Sequence, residues 1–276
     1  MTKNSIILMA VALIVIAIVF SRGPVSQDPS YHLFADQRRL FGIPNGVNVL
    51  SNIVFIIVGA WGMTFLFLFL KEGGTTVLLL EYLLFFFGVF LSGIGSCFYH
   101  YQPGNASLVW DRLPMSMAFM AFLSSMISER IDRRAGALLL APLLAAGVFS
   151  VGYWAWSESA GHGDLRLYGV VQFLPLILLP FILVLSKAPR SYSIPVWSLA
   201  ALYALSKVFE HFDRNVYAMT GFVSGHTLKH VLAATGTGCI VKMLYDRKDA
   251  LLGQQGKKAS SKGGELQKHA DTADRR

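Results

Sequence analysis

The sequence predicts an all-α polytopic membrane protein, a seven-transmembrane-helix bundle with an extra N-terminal hydrophobic helix. Three observations carry this. Of 276 residues, 54% are hydrophobic, 13% aromatic and only 14% charged, against about 25% charged in ordinary soluble domains. The apolar residues come in long runs, roughly 47–70, 77–100, 108–128, 136–157, 167–187, 193–213 and 222–244. Each is near the ~20 residues that cross a hydrocarbon core of about 30 Å. The connections are short, as between antiparallel neighbours in a bundle, and the alternating segments of about ten residues that a transmembrane barrel needs are absent.

Residues 1–21 hold the apolar run SIILMAVALIVIAIVF behind Lys3. The following SRGPVSQ lacks a small-x-small cleavage site, so the run is expected to be a retained anchor or extra transmembrane helix. Residues 22–46 form a polar, non-cytoplasmic segment with Asp28, His32, Asp36, Arg38 and Arg39, and 47–244 form the seven-helix domain. Residues 245–276 carry eight Lys/Arg and five Asp/Glu among Gly, Ser and Gln, the composition of a solvated, disordered tail. Its basic charge suits anionic lipid headgroups. It lacks the interleaved aromatic residues of a nucleic-acid-binding segment. Cys97 and Cys239 sit inside apolar runs, spaced for neither zinc nor a disulfide framework. The aromatic clusters Phe85–Phe87 and Trp154/Trp156 read as lipid-facing or interfacial.

A cytoplasmic tail puts Lys3, Lys71, Arg130, Arg133, Arg134, Lys187 and Arg190 on the tail's side, and Arg22, Arg38, Arg39, Arg166 and Arg214 on the other. With the tail's own lysines and arginines this satisfies the positive-inside rule and predicts a multi-pass plasma (inner) membrane protein. His100 then ends the second core run, Asp111 opens the third, and His226 and His230 open the seventh. All four fall at the non-cytoplasmic end at similar depth, with Ser96 one turn deeper.

Ionisable groups in membrane segments are expensive and functional by default. His226 and His230 in HTLKH are spaced i, i+4 on one helical face, and His100 at the same depth makes three nitrogen ligands. That is the count of a catalytic zinc with an open fourth position. Asp111 is placed to accept a proton from water, and the Ser96 hydroxyl to donate to an oxyanion. The bland alternatives are a helix–helix hydrogen bond for each His, close packing for Ser96 beside Gly93 and Gly95, and an Asp111–Arg112 ion pair. Lys207 and Glu210, spaced i, i+3, are expected to pair, and Lys229 to face Glu210 or Asp213.

The blocks GSCFYH (Ser96, His100), DRLPM (Asp111) and HTLKH (His226, His230), with NVLSN (Asn48 to Asn52) upstream, resemble the alkaline ceramidase family. That family lies within the seven-helix membrane hydrolases and receptors, and the matching features run from about residue 36 to 244. The resemblance implies hydrolysis of the N-acyl amide of ceramide to sphingoid base and fatty acid. In it His100, His226 and His230 bind zinc, Asp111 activates water, Ser96 assists the oxyanion, and the substrate is a membrane lipid. Two departures stand out. Arg112 follows Asp111 where the family often has Glu. FADQRRLFGIPNGVN offers only Asp36, with Asn45 where the family has an acidic ligand, for a second, structural ion, which argues against calcium. The alternatives are a hydrolase of another acyl lipid and a seven-helix receptor or transporter with a structural zinc site.

Overall fold

The computed structural model describes residues 2–73, 79–186 and 190–248. Among them the only extended pairing is one backbone bridge, Leu40 to Ile43, and every regular element is helical. The helices are α1 (Lys3–Phe20), α2 (Gly46–Ser51), α3 (Ile53–Lys71), α4 (Leu79–Tyr101), α5 (Asn105–Arg130), α6 (Arg133–Ser159), α7 (Arg166–Leu185), α8 (Arg190–His211), α9 (Asp213–Thr220) and α10 (residues 225–248). Five are long and apolar enough to cross a membrane: α1, α2 continued by α3, α4, α6 and α7. The protein is therefore a helical membrane protein by length and composition.

α5, expected over 108–128 and observed over Asn105–Arg130, is the most central of the long helices. It packs against α4, α6 and α7, and 16 of its 26 residues are buried, among them Asp111, Arg112, Ser116, Ser124, Ser125 and Ser128. Polar side chains are tolerated there because protein rather than lipid surrounds them. Ser116 and Ser125 donate to backbone carbonyls of their own helix, Ser124 to the Gly136 carbonyl of α6 and Ser128 to Glu81 of α4. At the other extreme α1 buries only Leu8 and lies along α7.

α10 closes the bundle between α3 and α8. Tyr245 packs on Trp61 and Phe65 of α3, and Gly236 lies against Leu199 of α8. α4 and α5 approach most closely at Gly95, where any Cβ would collide with the Trp110 carbonyl. Pro114 lacks the N–H that would tie that carbonyl into the helix ladder, so α5 presents a free carbonyl to a residue without a side chain.

Two boundaries differ from the sequence expectation. The first core helix breaks at Asn52, because the Asn52 side chain and the Ser51 hydroxyl both donate to the Asn48 carbonyl. The Asn52 backbone N–H then turns to the Val49 carbonyl, an instance of a polar side chain competing with the helix ladder. The short α9 was not anticipated at all. The aromatic reading also needs correction. Phe85, Phe86 and Trp154 are buried in the bundle, and only Phe87 and Trp156 are exposed. The expected tail beyond residue 248 lies outside the described residues.

Candidate metal centre

The last turn of α4 supplies His100 and the first turns of α10 supply His226 and His230. All three imidazoles are buried. His100 Nε2 lies 3.2 Å from His230 Nε2 and 3.3 Å from His226 Nε2, so three ring nitrogens face one point. A tetrahedral ion with metal–nitrogen bonds of 2.0–2.1 Å has edges of about 3.3 Å. The residues fit a metal ion, and a buried His100/His226/His230 group is able to hold one.

Hydrogen bonding bears this out. The Ser51 hydroxyl donates its one hydrogen to the Asn48 carbonyl, at 2.8 Å, and lies 2.7 Å from His230 Nδ1. With that hydrogen on the carbonyl it accepts from His230 Nδ1–H, the tautomer that leaves Nε2 as a bare lone pair for a metal. The three inward nitrogens cannot all be satisfied by one another. His100 Nδ1 has no partner among the described residues.

Asn48 organises the surrounding shell. Its amide donates to the Asp36 carbonyl at 3.1 Å and accepts from Ser224 and Thr227 at the start of α10. Asp213, at the head of α9, accepts from the backbone N–H of His226 at 2.7 Å and of Ala35 at 2.9 Å, which clasps the polar N-terminal segment to α10. The Phe34 ring lies 4.5 Å from that of His100 and 4.8 Å from that of His226, covering the imidazoles on that side.

Asp111 and Ser96 are both buried, and they interact with each other through their side chains. Together with His230 they line a cavity of about 140 Å³ enclosed by α3, α4, α5, α7, α8 and α10. Along α4 its wall runs Ser96, Ser92, Val89, Phe85, and along α5 Asp111, Met115, Ala118, Phe122. Each of these rows descends 11 residues, about 16 Å at 1.5 Å per residue, from polar to wholly apolar. Lys207 and Lys229 also line it, each 2.6 Å from a Glu210 oxygen. Lys229 Nζ comes within 3.5 Å of His226 Nε2, and Tyr31 donates to Glu210 at 3.1 Å.

Other expected residues are placed differently. Arg112 makes no ion pair with Asp111; successive helical residues point about 100° apart, and its Nη2 donates to Gln27 Oε1 at 2.6 Å. Asp36 gives both carboxylate oxygens to Arg38, at 2.9 and 2.7 Å, and Arg38 holds its carboxyl below the ordinary value. Asn45 donates its amide to the His100 carbonyl at 2.9 Å. The pair thus brace the site's backbone. Sequence reasoning passed over Ser51 and Asp213 as metal-site supports, although Ser51 stands in the NVLSN block already singled out. No family model matches the chain, and no curated protein matches it either.

Proposed function

We propose that this protein is a zinc-dependent intramembrane hydrolase that cleaves the N-acyl amide of ceramide-like lipids to a free fatty acid and an amine. The observation that carries the reading is the convergence of three imidazole nitrogens, two of their separations at tetrahedral-edge length, beside a carboxyl at the head of a deep apolar cavity. The motif resemblance supplies the substrate class. In this reading α2 with α3, α4, α5, α6, α7, α8 and α10 are the seven spans, α1 is an eighth, and the histidine end faces away from the cytoplasm.

Zinc held by His100, His226 and His230 supplies a lowered pKa for water and polarisation of the amide carbonyl. Asp111 accepts the proton of the attacking water and passes it to the leaving nitrogen, so that amide and water become carboxylic acid and amine. Ser96 orients Asp111 in the resting site and donates to the carbonyl oxygen as negative charge grows on it. The apolar rows below Ser92 and Met115 take the acyl chain. The Phe34 ring and the closed N-terminal segment keep bulk water out, which strengthens each of these interactions.

The test is purified wild type beside Asp111→Asn, with bound zinc and fatty-acid release measured over a panel of ceramides and other N-acyl lipids. Zinc in both and acyl release from wild type alone is expected. Zinc in both with no release from any lipid refutes the hydrolase. Ser96→Ala is expected to slow release roughly 10²–10³-fold, and a normal rate would remove it from the reaction.

A further inference from the structure

Arg112 is a buried cation without a carboxylate. Its side chain is 5% exposed and lines the cavity together with Asp111, yet no carboxylate of the described residues lies within ion-pair distance of it. Its guanidinium is wedged among three aromatic rings, 4.2 Å from the centre of Trp154, 4.6 Å from Tyr168 and 5.7 Å from Tyr31. Nη2 donates to neutral Gln27, and Nη1 has no partner among the described residues. A buried charge left in this state is costly. The rings hold the plane in place without neutralising it, and the Nη1 amino group is left without a partner among the described residues.

The rest of the lining points the same way. Its formally charged groups are Arg112, Lys207 and Lys229 against Asp111, with Glu210 behind the two lysines. Three cations face two carboxylates, so the polar head of the cavity carries a positive surplus. A ligand that is neutral throughout leaves that surplus unanswered.

We infer that Arg112 is a binding site for an anionic group, carboxylate or phosphate, on the headgroup of the N-acyl lipid. This rests on the hydrolase reading for the acyl-lipid class, but the site itself requires only binding. Arg112 is then the residue that separates acidic N-acyl lipids from neutral ones. Guanidinium suits both anions because its planar fork matches their oxygens. Gln27 fixes one edge of the fork, and the Nη1 edge has no partner among the described residues.

The experiment measures binding in full-length Asp111→Asn protein, where turnover is blocked, using N-palmitoylglycine, N-palmitoyl phosphoethanolamine, neutral N-palmitoylethanolamine and palmitate. At least one headgroup anion is expected to bind ~10-fold or more tighter than the neutral lipid, the worth of one charge-assisted hydrogen bond. Which one gains identifies the anion. Adding Arg112→Gln is expected to erase that difference and leave the neutral lipid's Kd in place. Equal affinity for all three headgroups overturns the proposal. So does a matching, Arg112-dependent gain for palmitate alone, which would assign Arg112 to the product carboxylate. Should Arg112→Gln fail to fold, Arg112→Lys decides. It keeps the charge and is expected to retain a reduced preference, whereas a Lys variant with the full preference refutes a role for the fork. Selective binding together with no fatty-acid release from any lipid upholds the anion site while refuting the hydrolase.

Discussion

The two ends of the helix bundle bury comparable amounts of charge, and they use it in opposite ways. At the end where α5 finishes, Glu129 accepts from Tyr82 at 2.7 Å and from Arg247 at 2.8 Å, with Arg130 Nε 3.2 Å away. Arg130 also donates to Ser193 and to the Tyr192 carbonyl, and Ser128 to Glu81. Carboxylates there face cations and hydroxyls, with only Glu81 Oε2 and Arg130 Nε lacking a hydrogen bond among the described residues, and α4, α5, α8 and α10 are pinned together. At the end where α5 begins, nitrogens face nitrogens, His100 Nδ1 and Arg112 Nη1 lack partners, and the polar groups surround a space. Buried polarity that closes on itself is structural. Buried polarity that converges on a gap is arranged for something else.

The contrast is breakable. The largest effect is expected from His226→Ala, which should reduce metal content to background and abolish turnover, read by elemental analysis and acyl release. Full metal occupancy in that variant would reduce the histidine end to packing. Next is Glu129→Gln at the opposite end, which strands two arginines. It is expected to lower stability by about 3–5 kcal/mol, the usual loss on breaking a buried ion pair, with metal content unchanged. Metal loss there would mean the two ends are one network. Ser51→Ala is smaller, removing only the acceptor that fixes the His230 proton. Metal affinity should fall about 10–100-fold in a competition titration with a chelator, with little change in melting temperature.

The smallest effect concerns the loop between α6 and α7. Hydrogen bonds from Arg166 to Asp164, with Nη2 to Oδ2 at 2.7 Å, hold that carboxyl below its ordinary 3.8. A depressed carboxyl stabilises the fold above its unfolded value, and the contribution is lost as pH falls through the lower folded value. Wild type should therefore lose melting temperature on acidification below about 3.8, and Asp164→Asn should start lower and lose less. The difference is expected to be about 1 kcal/mol or less, and parallel melting curves of the two proteins would remove the pair from acid stability.

Much of the site was legible in the sequence because membrane segments make polar residues conspicuous. His100, His226 and His230 stand out against apolar runs, and helix periodicity with alternating direction brings them to one depth. The identity of the supporting residues was not legible. Nothing in NVLSN says that the Ser51 hydroxyl meets the ring nitrogen of a histidine 179 residues away. Arg112 looked like a neighbour for Asp111 and became a separate feature once the helix turned it away. The burial of Phe85, Phe86 and Trp154 was hidden for another reason. When lipid and protein interior are equally apolar, hydrophobicity does not tell the two faces of a helix apart. Hydropathy likewise underrates α5, whose serines and charges are expensive only where lipid would meet them.

The close passage of α4 and α5 at Gly95 has a consequence for how this site can change over time. Ser96 follows that glycine and Asp111 follows the carbonyl it rests on, so the separation of these helices gauges how far the acid stands from the histidines. Cavity-lining residues such as Met115, Phe119 or Leu176 are free to drift and reshape what fits inside. Position 95 has no such latitude, since even one methyl group would wedge the walls apart. What fits this cavity is open to gradual variation, while the spacing of Ser96 and Asp111 hangs on a single hydrogen atom that cannot be exchanged for anything larger.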